Sequence, residues 1–169
     1  MIGFVLAGAV LANNVCNGPS TADDKHIGPL QVRQSIASLK TSSFVWSRKT
    51  VTDDCCDHAA FRVDICPGLS VWADADEADR VVVSLSTVSS GFSTPRGAHI
   101  GMTVRQLKAL YPEGRLSYGN GEGYFATFIT TQGPNFVIDM SGIPAQCFTT
   151  KRDCSRLFEN KRAIELDVR

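Results

Sequence analysis

The side chains best suited to chemistry in this 169-residue chain are three histidines and six cysteines, and their spacing argues against most catalytic plans. Cys55-Cys56-Asp57-His58 with Cys66 downstream holds metal-ligand types, but adjacent cysteines suit structural zinc poorly, because its ligand pairs are normally two to four residues apart. Asp74-x-Asp76-x-x-Asp79 begins like a calcium loop. It has Asp79 where glycine must turn the loop and Leu85 where an acid must close it. No Gly-x-Ser-x-Gly elbow presents a nucleophile. Gly119-Asn120-Gly121-Glu122-Gly123 lacks the helix and Lys-Ser/Thr pair of a phosphate loop and reads as a turn. His26 and His99 each precede a helix pattern, where a histidine can bond the backbone. The sequence therefore predicts no catalytic group, metal or cofactor.

The cysteines instead read as disulfide partners: Cys16, Cys55, Cys56, Cys66, Cys147 and Cys154 are even in number. Cys147 and Cys154 enclose a short loop and suit a local bridge. One of Cys55 and Cys56 reaching Cys66, with the other left for Cys16, is the preferred arrangement among the fifteen that six cysteines allow. A second set of residues suits binding. Trp46, Trp72, Tyr118, Tyr124 and Phe125 are aromatic side chains in strand patterns, and aromatics on an open sheet face anchor protein interfaces. Tyr124 and Phe125 are adjacent in a strand and so face opposite ways.

The element that organises the chain is the stretch from His99 to Pro112. Thr103 and Gln106 form a capping box, Val104, Leu107 and Tyr111 make an apolar stripe, and Pro112 ends the helix. His26-Ile27-Gly28 and Val32-Arg33-Gln34 echo His99-Ile100-Gly101 and Val104-Arg105-Gln106 at spacings of 73 and 72 residues. This predicts two copies of one unit, 26–98 and 99–169, after a signal remnant and tether over 1–25. The first helix is expected from about Pro29 to Leu39, on the stripe Val32, Ile36 and Leu39. Strands are expected where Phe61, Val63 and Ile65 alternate with Arg62 and Asp64, over 81–87, 115–118, 124–130 and 136–140, and where Ala163 to Val168 alternates. The fold class is α+β, each unit being one helix followed by about four antiparallel strands in one compact body. Whether the uncovered sheet faces join or stay open is not decided by the sequence.

Charge excludes some partners. Seventeen Lys+Arg balance seventeen Asp+Glu, so no net field draws the chain to nucleic acid or an anionic membrane. Residues 53–79 are acidic, with Arg62 the one basic residue among them. The apolar residues 1–12 are too few to span a bilayer; they read as the core of an export signal or as a structured N-terminal strand. Together with the cysteines they predict a periplasmic or secreted protein.

Ile100-Gly101-Met102-Thr103, with Val104 and Leu107 following, resembles the helix opening of small exported repeat proteins. These are the secreted beta-lactamase inhibitory proteins and the outer-membrane assembly small lipoproteins. The resemblance implies tandem helix-plus-sheet units, disulfides and an aromatic sheet surface that grips an enzyme. Pro29-Leu30-Gln31 replaces Met102-Thr103 in the first copy, and no inhibitory residue set carries over. The function expected is a non-enzymatic exported protein that binds another protein in the cell envelope or outside the cell, as an inhibitor or immunity protein. The alternatives are an envelope structural or assembly module and a small hydrolase using His58 and the acidic cluster.

Overall fold

The computed structural model describes residues 20–41, 45–53, 56–66, 69–76, 81–121, 123–150 and 152–169. In chain order the elements are β1 (Ser20–Thr21), β2 (His26–Ile27), β3 (Leu30–Gln31), α1 (Ile36–Thr41), β4 (Val45–Asp53), β5 (Cys56–Cys66), β6 (Leu69–Asp76), β7 (Val81–Thr87) and β8 (Phe92–Ser93). They continue with α2 (Val104–Leu110), β9 (Arg115–Asn120), β10 (Tyr124–Ile129), β11 (Asn135–Ile138), α3 (Gln146–Thr149), α4 (Ser155–Phe158) and β12 (Ala163–Val168). Helices and a mostly antiparallel sheet make this an α+β fold.

Eight strands form one sheet in the order β4-β5-β6-β7-β12-β11-β10-β9. Two four-stranded meanders thus meet at their last strands, with Leu166 opposite Thr87 and Val168 opposite Leu85. Alternation decides which side is packed. Phe61, Val63, Val71, Ala73, Leu85, Leu166, Phe136 and Phe128 are all at most 3% exposed, and the register places them on one face. Helix α2 with its C-cap Tyr111 packs into the core on that face through Val104, Leu107 and Tyr111. Its capping box is formed as the sequence predicts: the Gln106 backbone N–H donates to the Thr103 hydroxyl, and the Gln106 side chain accepts from the Thr103 N–H at 2.8 Å. The packed tyrosine is satisfied too, because the Tyr111 hydroxyl donates to Thr94 Oγ1 at 2.9 Å.

Several expectations are corrected. The first helix does not begin near Pro29: Leu30–Gln31 pairs with His26–Ile27 as a hairpin, Val32 and Arg33 turn, and the helix starts at Ile36. Val32-Arg33-Gln34 therefore has no structural match in the helical Val104-Arg105-Gln106, despite the identical letters. The match lies elsewhere. Arg33 N–H donates to Val82 O and Val82 N–H to Gln34 O, while Gly101 N–H donates to Ala163 O and Ala163 N–H to Met102 O. Ser35 pairs with Val81 as Thr103 pairs with Arg162, a like docking pattern at a spacing of 68 residues. The tether expected to run to residue 25 also ends early. Ser20–Thr21 forms a parallel pair with Phe92–Ser93, and Ala22 is fully buried. Asp74 and Asp76 belong to β6 and not to an acidic loop.

Both docking segments have a left-handed residue two positions before the bridging Ser35 or Thr103: Arg33 has φ 73° and Gly101 φ 95°. Gly101→Ala is expected to cost about 1 kcal/mol, all of it backbone strain, because a Cβ there meets nothing within 4 Å. Thermal unfolding measures the loss. A much larger effect would mean that the segment makes contacts beyond this backbone docking.

Candidate interaction face

The other side of the sheet is left open, and it carries the candidate site. Along β5 and β6, Arg62, Asp64, Ser70, Trp72 and Asp74 alternate with the core residues. Ser84 and Ser86 of β7, Asp167 of β12, Asn135 and Val137 of β11, and Phe125, Thr127 and Ile129 of β10 continue the same face. Apart from Asp167, all these side chains are half-buried or exposed, so neither helix nor second sheet covers them among the described residues.

The polar groups on this face are fixed by one another. Arg62 donates from Nε to Asp64 at 3.0 Å and from Nη2 to Ser70 Oγ at 3.0 Å, and Ser70 Oγ donates to Asp64 at 2.6 Å. The Ser70 hydroxyl, with Arg62 beside it, holds the Asp64 carboxyl below the usual carboxylate range. Ser84 Oγ donates to Asp74 at 2.7 Å. Pre-set side chains lower the ordering cost of docking a partner.

Asp167 sits at the centre of the face, 9% exposed, with Arg169 Nε donating to it at 2.8 Å. Burial pushes its carboxyl up, Arg169 pulls against that, and Glu165 and Asp74 add to the rise. A folded-state value above the unfolded one means that ionised Asp167 opposes folding at neutral pH. The penalty vanishes as pH falls below the carboxylate range. Asp167→Asn is therefore expected to raise the unfolding temperature at neutral pH, with the gain closing in acid. The Arg169 bond offsets little, since that side chain is 78% exposed and its charge is screened. Thermal unfolding across pH checks this, and a less stable variant at neutral pH would mean that the ion pair outweighs the burial.

The five aromatic residues expected at an interface are divided by the structure. Trp72 and Phe125 lie on the open face. Tyr118 lies on the packed side, stacked on Phe158 at 4.8 Å, and its hydroxyl accepts from the Cys154 N–H at 2.8 Å. Tyr124 is also on that side, stacked on Phe148 at 4.8 Å although 48% exposed. The Trp46 backbone pairs with Val63, and its side chain lies outside the described residues. Asp167 and Arg169 escaped the sequence reading. The alternation of Ala163 to Val168 carried the signal, because it sets Asp167 opposite Leu166 and Val168.

Of the cysteines, Cys147 and Cys154 form a disulfide, with Cα atoms 5.7 Å apart. Cys16 and Cys55 lie outside the described residues. Cys56 and Cys66 begin and end the same extended strand, β5. Ten residues of strand separate them by roughly 33 Å, whereas bridged Cα atoms lie within about 7 Å. A bridge between Cys56 and Cys66 is thus excluded, as is a zinc site using both. Backbone bonding explains one of the paired histidines: His99 Nδ1 lies 2.8 Å from Ile100 O. His26 Nδ1 instead lies 2.9 Å from the Asp23 carboxylate. The His58 side chain lies outside the described residues. No helix among the described residues is long and apolar enough to cross a membrane.

No protein-family model matches the chain, and no curated protein matches it. A solved structure does: the uncharacterized protein yfeY from Escherichia coli superposes with a TM-score of 0.62 at 10% identity, over 90% of this chain and 99% of that one. At that identity the likeness is one of fold alone.

Proposed function

We propose that this protein is an exported, non-enzymatic binding module that docks a protein partner on its open sheet face and acts as an inhibitor or immunity protein of a secreted or envelope enzyme. The observation that carries the reading is the face itself. It is one side of an eight-stranded sheet, uncovered among the described residues, with Trp72 half-buried and Phe125 exposed on it and Arg62, Asp64, Asp74 and Asp167 held by bonds within it. A stiff surface of this kind suits occlusion of a partner's cleft at small ordering cost. The Cys147–Cys154 bridge favours an oxidising compartment, the periplasm or the exterior.

We also infer that the two sheet halves descend from one duplicated unit. The docking of Arg33, Gln34 and Ser35 on Val81 and Val82 repeats in Gly101, Met102 and Thr103 on Arg162 and Ala163, which supports the duplication. Tandem units with a free sheet face agree with the resemblance to the beta-lactamase inhibitory proteins.

Capture from an envelope extract tests the binding reading, followed by an activity assay on the captured enzyme. Phe125→Asp and the exposed Arg62→Glu are expected to weaken capture about thirtyfold or more, as hot-spot losses do. Leu157→Asp, equally exposed but on α4, leaves capture intact. Capture that survives both face variants would overturn the assignment of the face. Binding without loss of the partner's activity would replace inhibition by an envelope assembly role.

A further inference from the structure

A cleft of about 850 Å³ opens at the end of the sheet, between the Val32-Arg33 turn, the start of β7, the end of β12 and the β10–β11 turn. Its volume falls within the range of small-ligand sites. Three cations border it, Lys25, Arg33 and Arg169, against two carboxylates, Asp24 and Asp167. Asp167 is answered by Arg169, whose Nε makes that bond; among the described residues the two terminal nitrogens of Arg169 have no partner. Neither Lys25 nor Arg33 has an ion-pair partner among the described residues. Among the side chains of the described residues, cations outnumber carboxylates at the cleft by one. Val81, Val83 and Ile129 give the cleft an apolar wall, and Val83 is 40% exposed.

Arg33 is what makes the cleft more than a groove with surface charges. It is the one non-glycine residue with positive φ among the described residues, at 73°. Gly101, at the matching point of the second docking segment, shows that glycine serves this backbone geometry. An L-residue there costs about 1 kcal/mol, and no ion pair of the guanidinium among the described residues offsets it. A side chain kept at a strained position without return in the fold points to a binding role.

We propose that this cleft is a binding site for an organic monoanion, a carboxylate borne on an apolar body, with Arg33 as its principal charge partner. The carboxylate meets the Arg33 guanidinium, and the apolar part lies along Val83 and Ile129. A free alkyl acid and the C-terminal end of an apolar peptide share this chemistry.

The test is a backbone-amide NMR titration of the full chain with hexanoate, with acetyl-Leu-Val as the free acid and as its amide, and with hexanol. Saturable shifts around Gln31, Val83 and Asn135 are expected with the acids and not with the amide or the alcohol. The tighter of the two acids identifies the source as a free acid or a peptide end. Arg33→Gly is expected to weaken acid binding about tenfold or more while raising the unfolding temperature, which shows that the variant is folded. Arg33→Lys keeps most of the affinity. Absence of saturable binding by either acid, equal binding by hexanol, or an Arg33→Gly variant that binds as the native chain does would each overturn the proposal.

Discussion

Phe136→Ala is expected to destabilise the protein by about 3–5 kcal/mol, the cost of emptying a fully packed aromatic site. Phe136 is fully buried at the middle of the second meander, directly opposite Leu166 on one side and Phe128 on the other, both also fully buried. Extended strands on both sides limit how far the surroundings can collapse into the space left behind. Urea unfolding measures the loss. The control is its strand neighbour Val137→Ala, which lies on the open face and is expected to cost well under half as much. Equal losses at the two positions would mean that the open face is covered, and the binding proposal would lose its surface.

Replacing both Cys147 and Cys154 with serine is expected to cost about 2.5 kcal/mol, the chain-entropy value for a loop of this length. The bridge ties α3 to the segment that carries Asp153 and Cys154. That segment accepts from and donates to Tyr118: the Tyr118 hydroxyl takes the Cys154 N–H and lies 3.3 Å from the Asp153 carboxylate. Without the bridge the cover over the Tyr118–Phe158 stack is free to open, so the last turn of packing loosens with the loop. Denaturant unfolding of the double variant, and of the native chain with and without reductant, checks the value. Partner capture is expected to persist in the folded double variant, because Trp72 and Phe125 lie on the opposite side of the sheet. Loss of capture at temperatures where the variant stays folded would move the interface to the disulfide side.

The arrangement of charges on the open face has a further consequence. Asp167 is costly to fold in its ionised form, and Arg33 is costly in its backbone, and both border the cleft at the sheet end. Two residues that tax stability at one place fit the binding proposed there, since stability and function commonly compete at binding sites.

What the sequence determined by itself was local. The capping box of Thr103 and Gln106, the period-two alternation of Phe61, Val63 and Ile65, the strand from Ala163 to Val168 and the short Cys147–Cys154 loop were all legible, because each depends on residues within a few positions of one another. Where a local pattern had two readings, tertiary contacts chose. The stripe Val32, Ile36 and Leu39 fits a helix, yet Leu30–Gln31 pairs with His26–Ile27 and Arg33 bonds to Val82, so the helix begins only at Ile36. Ser20–Thr21 has no strand signature and is held by Phe92–Ser93 beside it and by the Gly28 N–H on Thr21 O. Alternation showed that Tyr124 and Phe125 point opposite ways, but only the pairing of β10 with β11 decided that Phe125 is on the open face. The echoed letters Val32-Arg33-Gln34 and Val104-Arg105-Gln106 take different structures, since backbone docking on β7 and β12, and not side-chain identity, sets how each segment lies. The central β7–β12 pair joins segments about 80 residues apart in the chain, and no local propensity encodes a contact at that distance. That pairing makes one sheet of two meanders and leaves one face free, so the site exists only once the chain has folded.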